Sequence, residues 1–225
     1  MNPTRLYLAR HGATSRTAED RFSGAVGVPL SDEGRHQAGR LAERLRAVGL
    51  QAIYASPLDR ALETARIVGR AAGIDPVERE GLREIAHGHW EGLRRDEVEA
   101  RFSEEYAAWE ADPFSFAPEG GESGVAVLAR ALPVVREIVT RHAGQRVLVV
   151  SHKATIRLVL SSLLDSTRAV TAIGSIRPRR ASTCWISRDP VHARLMLFND
   201  TSHYSDEPRL LDRHLSKWWD TPSSS

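Results

Sequence analysis

The sequence predicts an α/β fold: a three-layer sandwich with a mostly parallel central sheet, helices on both faces and an antiparallel hairpin at the sheet edge. Three observations lead there. Strand-like and helix-like segments alternate twice between residues 4 and 73, the pattern of a parallel sheet with helical crossovers. The apolar run in "QRVLVVSH", residues 145–152, reads as a buried strand and leads directly into a helical pattern. Residues 181–198 read as two β segments joined by "RDPVHA".

The elements follow in order. "TRLYLA" at 4–9 is a short, largely apolar strand. A helix with apolar residues at helical spacing from Ala38 to Leu45 comes next, with Ser31 as its N-cap and Gly49 as its stop. "QAIYAS" is the second strand, and "SPLDRALETARIVGRAAG" the second helix. Ser56 sits at its predicted cap, Pro57 at the first helical position and Gly73 at its end. The middle is less regular: "GLREIAHGHWEGLRRDEVEARF" reads as a loop leading to a short helix, and "ADPFSFAPEGGES" as a proline- and glycine-rich excursion. A helix over 124–142 contains Pro133, a candidate kink. "KATIRLVLSSLL" is the helix after the buried strand. The tail, with Trp218 and Trp219, has no assigned element. Residues 1–225 are read as a single domain, with an insertion at about 85–123 over the active site.

Composition narrows the function classes. A net charge of +2, with no basic stripe interleaved with aromatics, argues against nucleic acid as a partner. No apolar run approaches the roughly 18 residues of a membrane span, and the N-terminal residues enter a strand without a signal-peptide pattern, so a cytoplasmic location is expected. The single cysteine, Cys184, excludes an internal disulfide and a cysteine-rich metal site. Lysine occurs only at Lys153 and Lys217, so nearly every cation is a planar arginine fork suited to carboxylate or phosphate.

Ligands of open α/β sheets bind outside the carboxyl ends of the strands, and conspicuous residues stand at three such ends. The first strand delivers Arg10, His11 and Gly12; the second delivers Ser56, Pro57 and Arg60; the strand at 147–150 delivers Ser151 and His152. Each alone has a plain structural reading: a solvated turn, an exposed helix arginine, a half-buried histidine. Together, two arginines and two histidines at one crevice form a pocket for a multiply charged anion, with phosphate the first candidate. Arginine forks match its oxygens, and a helix N-terminus adds N–H donors. Gly12 is expected to let the backbone approach the ligand.

The segments "LARHGATS", "YASPLDRALETA", "LREIAHGHWEG", "PEGGES" and "VVSHKATIR", in this order over most of the chain, resemble the histidine phosphatase superfamily, also called phosphoglycerate-mutase-like, and its phosphatase branch in particular. The resemblance implies a phosphomonoesterase acting on a small phosphorylated metabolite through a phosphohistidine, with no cofactor and no metal. By position, His11 is the nucleophile; Arg10, Arg60 and His152 hold the phosphoryl oxygens; Glu84 is the general acid that protonates the leaving alkoxide and then activates water. That role needs a proton on Glu84 near neutral pH, which an apolar or anion-rich pocket favours. The resemblance leaves two alternatives, a cofactor-dependent phosphoglycerate mutase and a catalytically idle phosphate binder, and a homodimer is possible.

The chain also departs from the family. Thr17 stands where many relatives have a phosphate-binding asparagine, and "SHKA" replaces "SHGG", so that Lys153 follows His152; the expectation is that Lys153 faces solvent. Ser23 and Gly24 align with the loop beside the substrate. His87 and His89 form a His-x-His pair without a matching acidic or cysteine cluster, so a part in substrate recognition is expected rather than a metal. The tryptophans, Trp90 and Trp109 among them, are read as packing residues; the Trp218–Trp219 pair has a lid or interface as its alternative.

Overall fold

A computed structural model of the chain describes residues 3–15, 21–24, 26–164, 183–188, 193–200 and 203. Its strands are β1 (Thr4–Arg10), β2 (Ala52–Ala55), β3 (Val77–Glu78), β4 (Arg146–Ser151), β5 (Thr183–Arg188) and β6 (Ala193–Asp200). They form one sheet in the order β3-β2-β4-β1-β5-β6. β3, β2, β4 and β1 run parallel, whereas β5 is antiparallel to β1 and β6 to β5. The mostly parallel sheet with an antiparallel edge hairpin is therefore present. The two-residue edge strand β3 had no sequence signal: "VE" is too short to show a period.

Side-chain alternation makes the sheet the middle of three layers. Leu6 and Leu8 of β1, with Val147 and Val149 of β4, share a core with Val135 and Ile138 of α5 (Gly124–Arg141) and Ile156 and Leu160 of α6 (Lys153–Leu163). Ala9, Leu148 and Val150 point the other way, against Leu41 and Leu45 of α1 (Asp32–Arg46) and Ala65 and Val68 of α2 (Asp59–Ala72). Both faces of β4 are thus apolar, as a strand with helices on either side requires. Each fully buried leucine or isoleucine contributes roughly 1.5–3 kcal/mol relative to exposure. Pro133 lies inside α5, which is assigned as one continuous helix.

Two helix ends behave as their sequences predict. Ser31 caps α1, its Oγ accepting from Gly34 N at 3.1 Å, and Gly73 ends α2 in a left-handed conformation. The start of α2 differs from expectation. The helix begins at Asp59 with Leu58 as N-cap, so Pro57 precedes it. Ser56 Oγ accepts from Leu58 N at 3.3 Å in a local turn, and its other partner lies in the active site.

Residues 85–123 contain α3 (Arg95–Arg101) and α4 (Ser103–Ala111). Their apolar side chains build a separate core of Phe22, Trp90, Val98 and Tyr106, bordered by Phe102, Trp109 and Phe116. Trp90 is a packing residue, fully buried there. Phe22 comes from the segment after β1, so this core fastens residues 21–24 to the excursion. Phe22 N donates to Leu93 O at 2.9 Å, and Gly92 N to Phe22 O at 2.7 Å. Among the described residues no helix is long and apolar enough to cross a membrane. Trp218 and Trp219 lie outside the described residues.

Candidate active site

The carboxyl ends of β1, β4 and β2 lie side by side because the strands are parallel and adjacent. His11 N donates to Ser151 O at 3.1 Å, and Ser56 N to Val150 O at 3.0 Å, which brings the residues after all three strands to one level. His11, Arg60, Glu84 and His152 are all buried there. The rings of His11 and His152 lie 5.1 Å apart.

Hydrogen bonding fixes which nitrogen of His11 is available. Nδ1 lies 2.7 Å from Gly12 O, and a carbonyl can only accept, so Nδ1 carries the proton. Arg60 Nε–H donates to His11 Nε2 at 3.3 Å, which requires a lone pair on Nε2. The lone pair of His11 Nε2 therefore faces a guanidinium. The loop behind it is anchored at two amides: Gly12 N donates to Thr64 Oγ1 at 3.2 Å and Ala13 N to Gln37 Oε1 at 3.0 Å.

Gly12 serves this loop in a way the sequence did not suggest. Its N–H is engaged by Thr64, and a Cβ at Gly12 would collide with the backbone carbonyl of Gly34 in the first turn of α1. The missing side chain permits close packing against α1. Gly12→Ala is expected to destabilise the protein by roughly 1–3 kcal/mol, as overpacking does. A urea midpoint equal to that of the parent would show that the loop yields at no cost.

His152 is the N-cap residue of α6, and its Nε2 lies 2.7 Å from Ser56 Oγ. Ser56 Oγ also accepts from Leu58 N, and where its O–H donates to His152, Nε2 is the acceptor. That tautomer puts the proton of His152 on Nδ1, a buried atom without a hydrogen-bond partner. Burial above all, then the charges of His11, Arg60, Arg10 and Arg130, hold the His152 pKa well below its ordinary value. That shift favours the neutral ring beside His11. Arg10 ends β1, paired in register with Ser151, near enough for its charge to act on His152.

Arg60 is nearly as deeply placed. Burial lowers its pKa, opposed by Glu84, Glu91 and Asp59. Apart from His11, its guanidinium donates to Val26 O at 2.9 Å, Gly24 O at 2.7 Å and Ser23 O at 3.4 Å. Ser23 and Gly24 therefore contribute carbonyls that hold Arg60. Glu91 fixes the same peptide from the other side, accepting from Gly24 N at 2.9 Å and His87 N at 2.9 Å.

Glu84 lies over the start of α6. Its carboxyl accepts from Ala154 N, Thr155 N and Ile85 N, each at 3.1 Å. Two of the helix N-terminal donors expected to serve phosphate thus orient the candidate acid instead. Thr155 Oγ1 lies 3.2 Å from Glu84 Oε1, but it donates its proton to Arg83 O at 2.6 Å.

The His-x-His pair divides. Gly88 between them has φ +54°, a left-handed turn that glycine tolerates, and a Cβ there would strike the backbone of Glu119 and Gly121. His89 stacks on Phe102 at 4.3 Å and bonds Glu105 at 2.9 Å, so it ties the excursion together. His87 is half-buried with its ring edge-on to Phe22 at 4.9 Å. Burial lowers its pKa against the pull of Glu91, Glu84 and Glu122. Among the described residues no three His, Cys, Asp or Glu side chains are arranged to hold a metal ion. Lys153 is the first residue of α6 and half-buried, not fully solvated. Thr17 lies outside the described residues.

A family model for the histidine phosphatase superfamily (branch 1) matches residues 6–201. The chain belongs to that superfamily. As a histidine phosphatase it falls in the class of phosphoric monoester hydrolases. Phosphoserine phosphatase 1 of Hydrogenobacter thermophilus is 33% identical over 160 residues, 71% of this chain and 76% of that protein. The 2,3-bisphosphoglycerate-dependent phosphoglycerate mutase 2 of Gloeobacter violaceus is 32% identical over 163 residues, 70% of this chain and 74% of that one. The solved structure of a mycobacterial glucosyl-3-phosphoglycerate phosphatase superposes with a TM-score of 0.79 at 30% identity, covering 87% of this chain and 98% of that one.

Proposed function

We propose that the chain hydrolyses a small phosphorylated metabolite without a metal, by transfer of the phosphoryl group to His11 and its release to water. One observation carries the reading: the lone pair on His11 Nε2 is fixed by the Nδ1 hydrogen bond and lies 3.3 Å from Arg60 Nε. A phosphorus atom bonded to Nε2 places its oxygens where Arg60 Nε–H points. Arg60, Arg10 and the single N–H of His152 then face charge that grows on those oxygens, which is where electrostatic catalysis of phosphoryl transfer acts. Glu84 gives its proton to the leaving alkoxide. In the second half-reaction its carboxylate takes a proton from water, which attacks phosphohistidine and returns His11. Water and a second hydroxyl differ only as acceptors, so the same residues would serve a mutase.

The test is a panel of phosphorylated metabolites, including 3-phosphoglycerate with 2,3-bisphosphoglycerate, assayed in EDTA for free phosphate and for isomerised product together. Phosphate release on a subset, at the same rate with and without EDTA, is the expected result. Isomerisation without release transfers the chain to the mutases; inactivation by EDTA that a divalent cation reverses rejects the metal-free mechanism. Silence in both channels leaves the idle binder.

A further inference from the structure

We infer that Arg130 and Glu122 position Glu84 for proton transfer by gripping the backbone on both sides of it. The inference rests on the acid role of Glu84. Arg130 of α5 donates to Gly81 O at 2.9 Å, Arg83 O at 2.8 Å and Glu84 O at 3.0 Å. Its fork also binds both oxygens of Glu122, at 2.8 and 2.9 Å, with both side chains only 20% exposed. Glu122 closes the grip downstream: its Oε2 accepts from Ala86 N at 3.0 Å, and its own N–H donates to Ala86 O at 2.8 Å.

The carbonyl before Glu84 is held twice, by Arg130 and by Thr155 Oγ1 at 2.6 Å. The carbonyl of Glu84 itself is held by Arg130, and the next two amides by the Glu84 and Glu122 carboxyls. The backbone from 83 to 86 thus has no freedom to rotate the acid away from α6. A planar fork is required for this, because it must serve three carbonyls and a carboxylate at once; a lysine supplies the charge but a single nitrogen. Charge and geometry are separable here. The charge of Arg130 also acts on His152, and a purely electrostatic role would be filled by lysine.

The decisive variant is Arg130→Lys in the full chain, compared with Glu84→Gln and the double variant. The readout is the rate of the first phosphoryl transfer from p-nitrophenyl phosphate and from glycerol 2-phosphate, whose alkoxide leaves poorly. Misplacing a reacting group by about 1 Å costs on the order of 10²-fold, so a loss of that size is expected on the alkyl ester. The p-nitrophenyl ester, which needs no acid, should change by less than about tenfold. In the Glu84→Gln background, Arg130→Lys should add nothing further. Equal loss on both esters, wild-type rates on both, or losses that multiply in the double variant would each overturn the inference. Should Arg130→Lys not fold, Glu122→Gln retains size, removes the charge and answers to the same criteria. If Glu84→Gln itself fails to discriminate between the esters, the acid role falls and this inference with it. If only the Arg130 variant fails to discriminate, the acid role stands alone.

Discussion

His11→Ala is expected to lose turnover on every phosphate ester by on the order of 10⁶-fold, the scale seen when the nucleophile of a cooperating set is removed. No neighbour can take its place. His152 is another imidazole at the site, but it is fully buried and its Nε2 is engaged by Ser56. Glu84 is turned onto the amides of α6. The variant should fold, since truncating His11 leaves the Thr64 and Gln37 anchors of its loop intact. Brief exposure of the parent enzyme to a 32P-labelled ester should leave acid-labile, alkali-stable label on the protein, and the variant should take up none. Labelling of the variant, or rates within about a hundredfold of the parent, would remove His11 from its role.

How much of this was visible in the sequence depends on how local each cause is. Strand ends are local: β1 and β4 show apolar runs that stop at Arg10–His11 and Ser151–His152, and a parallel sheet must bring such ends together. What holds those residues in their working form is not local. Ser56 was read as a helix cap because serine before proline fits that position, yet its hydroxyl is used by a histidine 96 residues away. Thr64 and Gln37 reach back to Gly12 and Ala13 from two different helices, and no spacing rule connects them. The packing of Gly12 on the Gly34 backbone leaves no mark in the sequence, because a glycine beside a histidine looks the same whatever it faces. Glu84 had no signal of its own. From residues alone it is a glutamate in a charged loop, and only the resemblance of "LREIAHG" to its family singled it out. The pair His87 and His89 shows the limit of spacing most directly: Gly88, at φ +54°, sends one ring toward Phe22 and the other onto Phe102.

The grip on Arg60 has a chemical consequence for how substrate must bind. Its guanidinium already serves three carbonyls of the segment 23–26 as well as His11. What it can give an arriving phosphate is chiefly the Nε–H now shared with His11 Nε2. The donor is thus pre-aimed at His11 Nε2, the proposed nucleophile. Such a donor gains most as the phosphoryl group reaches Nε2, the condition for lowering a barrier rather than merely tightening binding.

Glu84→Gln should separate the two halves of the reaction. Glutamine keeps the size of the side chain, and its amide oxygen can still accept from Ile85 N and Thr155 N. Its NH2 must then face Ala154 N, a donor against a donor, at a cost of about 1–3 kcal/mol that applies whatever the substrate. Against that common background the loss of the proton is selective. Transfer from an alkyl phosphate, whose alkoxide must be protonated as it leaves, should slow by roughly 10²–10⁴-fold. With p-nitrophenyl phosphate the first transfer should remain fast, because the phenolate leaves unaided, whereas the second step still lacks the carboxylate that activates water. A burst of p-nitrophenol, roughly one equivalent per site, followed by a slow steady state with phosphohistidine accumulating, is the expected trace. Equal slowing of the burst with both esters would assign Glu84 to binding. A steady state as fast as the parent's would mean that water is activated by another group, and His87, half-buried within reach of the Glu84 charge, would be the next residue to substitute.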